Sequence, residues 1–253
     1  MEPGRLVVRA APKVLVVMRD THGGELTDAH PDGRTAPLLC RLLVDGGFEV
    51  QLCNNLERIK DTSATGLPYF DVAVFHGKIA TEDVSAVEAL RGFVFDAGKG
   101  LVVIHVASAS FVAAANGNPL PGWVHLVGSV FLYAAPPFGS HHPDVQSIEV
   151  TVEDTRHPIV DGVPETFTLE GDELYMNMRE APYGDTGRLL ATGTVREQGS
   201  NGNLHTWTEP IAFTLERGRG RVTHIYPGHS VSTHINPHFQ RIICQSVEWA
   251  AAL

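Results

Sequence analysis

Four apolar, strand-like segments of this sequence are each followed by a histidine within four residues. The four residues are His22, His76, His105 and His229. Imidazole can transfer protons near neutral pH and is the commonest protein ligand for zinc-like metals. Because ligands of open α/β sheets bind outside the carboxyl ends of the strands, these side chains are candidates for one common pocket. The pattern therefore predicts acid–base or metal chemistry at that edge of a sheet.

His105 and His229 stand in the most informative local settings. His105 lies between a buried strand and the small residues Val106-Ala107-Ser108, a setting similar to a nucleophile elbow. His229 follows Pro227-Gly228, which forces a sharp turn and restricts the side chain. We therefore expect functional roles for His105 and His229, whereas the sequence explains His76 equally well as a residue that orients a loop.

A run of acidic residues supplies the candidate partner of these histidines. Glu170, Asp172 and Glu173 lie between the apolar residues Leu169 and Leu174, so we expect part of the run to be held against the core. Glu173 beside histidines can complete a metal site or serve as a general acid or base. Two versions stay open: a divalent ion, zinc first of all, held by His105, Glu173 and His229, or direct proton transfer by the same groups.

The first half of the chain alternates strands and helices, which predicts a parallel, doubly wound sheet. We predict strands at Lys13–Met18, Phe48–Leu52, Asp71–Phe75 and Leu101–Ile104. We predict helices at Thr35–Asp45 and at Thr81–Ala97, the second one capped by Thr81 with Val84, Val87, Leu90 and Val94 on its inner face.

The second half changes to short alternating strands, so the sheet is predicted to become antiparallel there. The predicted strands are Ser147–Val152, Thr166–Tyr175, Leu189–Thr192, Ile211–Leu215 and Arg221–Tyr226. Glu216–Gly220 suits the turn of a hairpin. The last helix is predicted to begin with Asn236 as its cap and Pro237 at its first position.

Composition and absent motifs exclude several classes of function. The formal net charge of −10 argues against nucleic acid as a partner, because phosphate binding needs clustered Lys and Arg. No apolar segment approaches the length that spans a bilayer, and the three cysteines include no CxxC pair. The sequence has no GxGxxG after its first strand and no Walker loop, so we expect no nucleotide cofactor. We expect a soluble, cytoplasmic protein without a membrane partner.

Seven short motifs together resemble the ThuA-like (trehalose-utilisation) family. They occur in the family's order over nearly the whole chain, from Val14 to Trp249. The motifs are GKGLVVIHVAS (98–108), LVGSVF (126–131), HHP (141–143), RHPIVDGVP (156–164), GDELY (171–175), RGRGRV (217–222) and PGH (227–229).

The resemblance implies a flavodoxin-like, class I glutamine amidotransferase-like three-layer α/β sandwich with a mixed, mainly parallel sheet. It implies one domain over residues 13–253 after a flexible tail of residues 1–12. In the similar amidotransferases a cysteine occupies the elbow where this chain has His105, so amide hydrolysis by a thiol is expected to be lost. The chain departs from typical members at Ser129-Val130 and in the loop at residues 133–140, which leaves the substrate open.

The resemblance also implies a carbohydrate-utilisation function, on a disaccharide or a 3-keto sugar, through a His/Glu site with or without a metal. The alternative is a non-catalytic sugar-binding or regulatory module. The expected partner is a small sugar or keto sugar, and a homo-oligomer is compatible with the sequence. The candidate catalytic residues are His22, His105, Glu173 and His229. The candidate substrate-binding residues are Asp20, His76, His142 and Tyr175.

Overall fold

The fold is that of a computed structural model, which describes residues 10–18, 32–112, 117–133, 139–180, 187–198 and 203–252. In chain order its strands are β1 (Lys13–Val17), β2 (Glu49–Cys53), β3 (Val72–His76), β4 (Gly100–Ile104), β5 (Ser129–Val130), β6 (Gln146–Val152), β7 (Thr166–Asp172), β8 (Arg179–Glu180), β9 (Arg188–Gln198), β10 (Leu204–Arg217) and β11 (Gly220–Ile225).

Six α-helical segments accompany these strands, and none of the helices in the described ranges is long and apolar enough to cross a bilayer. They are α1 (Asp32–Asp45), α2 (Glu57–Lys60), α3 (Val84–Arg91), α4 (Pro121–Val127), α5 (Val231–His234) and α6 (Pro237–Ala250). The last of them begins as predicted, because the Asn236 side chain accepts hydrogen bonds from the backbone N–H groups of His238 and Phe239.

Nine strands form one mixed sheet in the order β2-β1-β3-β4-β11-β10-β9-β6-β7, which confirms the predicted α/β architecture. Pairing is parallel from β2 to β11 and antiparallel from β11 to β7. The predicted hairpin turn is present, since Arg217 pairs with Gly220 at the end of the β10–β11 ladder. β5 and β8 form a separate two-stranded sheet.

Helices cover both faces of the main sheet, and β1 shows how the sequence specifies this. Val14 and Val16 face one apolar core together with side chains of α1 and α6. Leu15 and Val17, which point to the opposite face, join a second core with α2, α3 and α4. Because side chains alternate along a strand, a strand covered on both faces is a continuous apolar run. The result is a three-layer sandwich.

The observed elements differ from the predicted ones at several boundaries. Asp83 rather than Thr81 caps α3, because the Asp83 carboxylate accepts the backbone N–H of Ala86. Val84 is 57% exposed, so it does not belong to the inner face of that helix. After Arg91 the helix widens into a π-helical turn at Gly92–Asp96. β7 ends at Asp172, three residues before the predicted end, while β9 and β10 extend well beyond their predicted bounds.

Candidate functional site

Three strands carry the candidate residues to the same edge of the sheet. β4 and β11 are parallel neighbours that pair Ile104 with Ile225, so His105 and residues 226–229 emerge side by side. β7 lies four strands away from β11, but four antiparallel pairings make it run in the same direction as β11. Glu173, directly after β7, therefore lies at the same edge as His105.

His105 occupies a strained position that fixes its ring. Its φ of 53° is in the left-handed region, which non-glycine residues rarely adopt and which is common at functional turns. The ring is buried, and Nδ1 lies 2.8 Å from the carbonyl oxygen of Tyr226. A carbonyl oxygen only accepts, so Nδ1 carries the proton and Nε2 of the neutral ring keeps its lone pair. The Tyr175 hydroxyl, 3.1 Å from Nε2, donates to that lone pair.

The turn before His229 needs its glycine. Gly228 has a φ of 143°, and a Cβ there would lie 2.9 Å from Ile104 Cγ2 and 3.0 Å from His105 Cβ. Only glycine lets the two strand ends approach this closely. The rings of His105 and His229 consequently meet edge to face, with their centroids 5.6 Å apart.

Glu173 lies between the imidazoles, and its side chain is 6% exposed. Its Oε2 is 3.5 Å from His105 Nε2, and its Oε1 is 3.2 Å from His229 Nδ1. His142 Nε2 lies 3.6 Å from Oε1 on the more open side. Burial alone would raise the pKa of Glu173, but the electrostatic influence of the neighbouring His229, His105 and His142 lowers it to about 2. Glu173 is therefore a carboxylate at neutral pH.

A bulge in β7 explains why Asp172 lies on the same face as Leu169, and Glu173 follows where the strand ends and the alternation of faces stops. Gly171 has a φ of 67°, and between Leu169 and Asp172 the strand holds one residue more than the partner strand β6. The extra residue breaks the alternation of faces, so Asp172 is buried like Leu169, whereas Glu170 is exposed.

Asp172 connects the two halves of the site. Its Oδ1 accepts the backbone N–H of Glu173 at 2.8 Å. Its Oδ2 accepts the N–H groups of Gly228 at 2.9 Å and His229 at 3.3 Å, together with the hydroxyl of Thr233. Burial raises the pKa of Asp172 to about 6, although these four donors oppose the shift. The residue thus fixes the backbone of Glu173 relative to that of His229.

His142 reaches the site through a short antiparallel bridge. The N–H of His141 donates to the Met176 carbonyl and the N–H of Met176 donates to the His141 carbonyl, at 3.2 and 2.8 Å. The bridge places the HHP loop against the segment that follows Glu173. His142 Nδ1 lies 2.8 Å from the Pro143 carbonyl oxygen, so Nε2 of the neutral ring is the atom that faces the carboxylate. The side chain is 36% exposed and forms the entrance of the site.

A second group of histidines lies behind the first. His76 is buried, and its Nε2 is 2.7 Å from the Thr35 hydroxyl. The rings of His76 and His234 meet edge to face at 5.0 Å, and His234 Nε2 donates to the Gly228 carbonyl at 3.1 Å. Burial lowers the pKa of His76 well below its ordinary value and that of His234 to about 4. These imidazoles are neutral supports for the turn at Gly228.

The structure brings together five of the eight residues predicted for the site. His105, Glu173 and His229 form the centre, Tyr175 donates to His105, and His142 lies at the entrance. His76 lies in the supporting layer, hydrogen bonded to Thr35. Asp20 and His22 lie outside the described residues. The functional roles assigned to these residues stay predictions.

Sequence reasoning missed Asp172 as the residue that links the strand ends. Gly171 was the available signal, because a glycine inside a strand-like segment often marks a bulge.

The donor atoms of the centre suit a metal ion. One imidazole nitrogen from His105, one from His229 and one carboxylate oxygen from Glu173 lie within 4.8 Å of one another. Two imidazoles and a carboxylate are a ligand set used by catalytic zinc sites, which leave a fourth position for water or substrate. The same three groups can also move protons without a metal.

Comparison with solved structures identifies relatives of the same fold. A protein described as ThuA-like from Parabacteroides merdae superimposes with a TM-score of 0.73 at 21% identity, covering 95% of this chain and 90% of that one. A protein described as ThuA-like from Bacteroides uniformis gives a TM-score of 0.67 at 16% identity, covering 96% and 93%. A cytoplasmic protein from Salmonella typhimurium gives 0.60 at 13% identity, covering 94% and 98%.

Comparison with curated proteins gave no match. The model of one protein family, described as ThuA, trehalose utilisation, matches residues 13–250. That match spans nearly the whole chain and includes every residue of the centre. The chain therefore belongs to the ThuA family.

Proposed function

We propose that the chain is a metal-dependent enzyme acting on a sugar or an oxidised, 3-keto sugar. His105, Glu173 and His229 would hold a divalent ion, zinc first of all. The observation that carries the proposal is the convergence of one carboxylate and two imidazoles, with donor atoms within 4.8 Å of one another. Membership of a trehalose-utilisation family supports a carbohydrate as the substrate class.

The spacing of the donor atoms supports zinc. Two ligands about 2.0–2.2 Å from a tetrahedral zinc ion are about 3.3–3.6 Å apart. Each imidazole has a different oxygen of Glu173 near this distance, Oε2 at 3.5 Å from His105 Nε2 and Oε1 at 3.2 Å from His229 Nδ1, and with one atom per residue the three donors lie within 4.8 Å of one another. The orientation of His105 adds support, because a zinc-ligating histidine usually donates its other N–H to a carbonyl or carboxylate, as His105 does to Tyr226.

The residues around the centre have separate tasks in this proposal. A zinc ion on three protein ligands polarises a substrate carbonyl or a bound water. The Tyr175 hydroxyl, 3.1 Å from His105 Nε2, can turn to donate a hydrogen bond to a substrate oxygen. His142 lies at the entrance with Nε2 3.6 Å from Glu173 Oε1, so its imidazole can relay a proton between substrate and solvent.

A metal-free acid–base site is the second candidate. The 3.2 Å contact between His229 Nδ1 and Glu173 Oε1 favours it, because the carboxylate lies where it can stabilise a positive charge on the imidazole. In this version His229 removes a proton next to a keto group, and the charge of Glu173 stabilises the resulting imidazolium. The Tyr175 hydroxyl, which His105 positions, then gives its proton to the leaving oxygen and recovers a proton from solvent.

Metal analysis of the purified protein tests the first candidate. We expect about one zinc ion per chain in the wild type and in Glu170→Gln, an exposed control three residues away, and loss of the ion in Glu173→Gln. Metal-free protein that still turns over a keto sugar would support the second candidate. Sugar binding without product, unchanged in Glu173→Gln, would support a non-catalytic module instead.

A further inference from the structure

A cavity of about 620 Å³ lies beside the candidate site and shares residues with it. Tyr175, whose hydroxyl contacts His105, and Tyr226, whose carbonyl accepts the Nδ1–H of His105, both line the cavity. His105, Glu173 and His229 do not line it. A space of this size can hold a drug-sized molecule. The site and the cavity thus adjoin each other at Tyr175 and Tyr226.

The two compartments differ in chemistry. The site presents a carboxylate and imidazoles, whereas most of the cavity wall is apolar or aromatic: Met176, Met178, Leu189, Phe213 and Leu215. The rings of Phe213 and Tyr226 meet edge to face in this wall, with centroids 5.8 Å apart. Methionine side chains adapt to the shape of a bound apolar group, and aromatic rings add favourable edge and face contacts.

Polar residues also line the cavity: Ser129, His141, Asn177 and Glu209. The hydroxyl of Ser129 is buried in the cavity wall, and in the described part of the chain it has no hydrogen-bond partner. Burial raises the pKa of Glu209, while nearby His141 opposes the shift. An apolar ring that carries a hydroxyl substituent could satisfy Ser129 or Glu209 while its remaining edges contact the apolar side chains.

We propose that this cavity binds the apolar, ring-sized group of an amphipathic ligand whose polar part lies at His105, Glu173 and His229. The substrate class is then a glycoside or keto-glycoside with an aromatic aglycone rather than a second sugar unit. The inference rests on the proposed function for the polar part and on the cavity lining for the aglycone.

Calorimetric titration with phenyl and methyl glucosides, both anomers of each, tests the inference. We expect a phenyl glucoside to bind about tenfold more tightly than the methyl glucoside of the same anomer, because only the phenyl ring buries a large apolar area. The titrations are repeated on protein treated with a chelator. A phenyl preference that persists after chelation would sustain this inference without a metal, whereas the metal proposal is decided by metal analysis of the untreated protein, so the two can fail separately.

A matched pair of variants tests whether the preference for the phenyl glucoside arises in the cavity. Leu189 lines the cavity and is 37% exposed, whereas Leu204, in the neighbouring strand β10, is outside the lining and 65% exposed. We expect Leu189→Asp to remove the roughly tenfold preference for phenyl and Leu204→Asp to retain it. If Leu189→Asp does not fold, Met178→Gln at a half-buried wall position replaces it. Equal affinities of phenyl and methyl glucosides, no binding of either, or a preference unchanged in the cavity variant would overturn the inference.

Discussion

Two pairs of largely buried histidines lie near the same edge of the sheet, and Glu173 places a carboxylate beside both rings of one pair. His105 and His229 have ring centroids 5.6 Å apart and both approach Glu173 within 3.5 Å. His76 and His234 have ring centroids 5.0 Å apart, and both have lowered pKa values. All four rings are largely inaccessible, so burial does not distinguish the pairs. The anionic partner does.

The difference follows from the electrostatics of the two surroundings. A buried imidazole beside a carboxylate can hold a proton or a metal ion, because the negative charge compensates for the lost water. His76 and His234 have a hydroxyl of Thr35 and the carbonyl of Gly228 as their hydrogen-bond partners. Such partners satisfy a neutral ring but do not compensate a buried positive charge. Among histidines with similar burial, the charged neighbour therefore identifies the functional candidates.

The distinction between the two histidine pairs is tested most directly by removing one imidazole from each pair and comparing the zinc affinities. We expect His229→Gln to weaken zinc binding by more than about 100-fold, because loss of a ligand should exceed the 10–100-fold cost of losing an outer-shell partner. His234→Gln, which touches only the turn at Gly228, should stay within about tenfold of wild type. Competition titration with a fluorescent chelator measures both affinities. Equal losses in the two variants would contradict the distinction between the pairs.

Asp172→Asn tests whether the position of Glu173 relative to His229 matters for zinc binding, because it alters the link between these residues and leaves every imidazole unchanged. An amide places an N–H where Asp172 now accepts from several donors, so we expect zinc binding about 10–100-fold weaker and unfolding easier by about 1–3 kcal/mol. Zinc affinity and urea unfolding are measured together, with the exposed Asp144→Asn as the control. Lower stability with unchanged affinity would assign Asp172 a purely structural role.

The pH dependence of the Asp172 variant gives an independent check. The pKa of Asp172 is raised from 3.8 to about 6 in the folded chain, so between pH 7 and 5 the folded wild type takes up a proton that the unfolded chain does not. Wild-type stability therefore gains as the pH falls, and because Asn does not titrate, the difference in unfolding free energy between wild type and Asp172→Asn should grow by about 1 kcal/mol from pH 7 to 5. A difference that stays constant over this range would contradict a carboxylate that titrates there.

The sequence predicts the fold well wherever burial alone determines an element. β1 and β4 are continuous apolar runs because helices cover both faces, and both strands were found close to their predicted bounds. The start of α3 was wrong, because Thr81 and Asp83 are both acceptable caps and the choice depends on the backbone around Ala86. The ends of β9 and β10 were also missed, since their extensions pair with each other and need little core contact.

The part of the site that lies on neighbouring parallel strands could be predicted from the sequence. His105 and His229 follow parallel neighbours, so their proximity follows from the topology of the sheet. The position of Glu173 depends on four antiparallel pairings and on the bulge at Gly171, neither of which periodicity specifies. The acidic run was expected to be partly buried, but only the coordinates distinguish the linking role of Asp172 from the central role of Glu173.

His234 provides a stability test of the neutral pair. Burial lowers its pKa from 6.5 to about 4 in the folded chain, whereas the unfolded chain binds a proton at the ordinary value. Its contribution to stability is thus fully present above about pH 6.5 and is lost as the pH falls toward 4. We expect His234→Gln to reduce the loss of unfolding free energy between pH 7.5 and 5 by about 1–2 kcal/mol. The exposed His205→Gln serves as control, and identical pH slopes in the two variants would refute a neutral buried His234.

Tyr175→Phe is the smallest perturbation, and it separates the metal-bound from the metal-free version of the site. His105 Nε2 has one lone pair, which either accepts the Tyr175 hydroxyl at 3.1 Å or binds an ion, but not both. If zinc is bound, removal of the hydroxyl removes a competitor, so zinc affinity should change by no more than about threefold and in the direction of tighter binding. If the site works without a metal, the same variant removes the hydroxyl that acts with His105 on the leaving oxygen, and turnover should fall by about 100-fold or more. Zinc titration and turnover on one variant thus decide which ligand the lone pair of His105 serves.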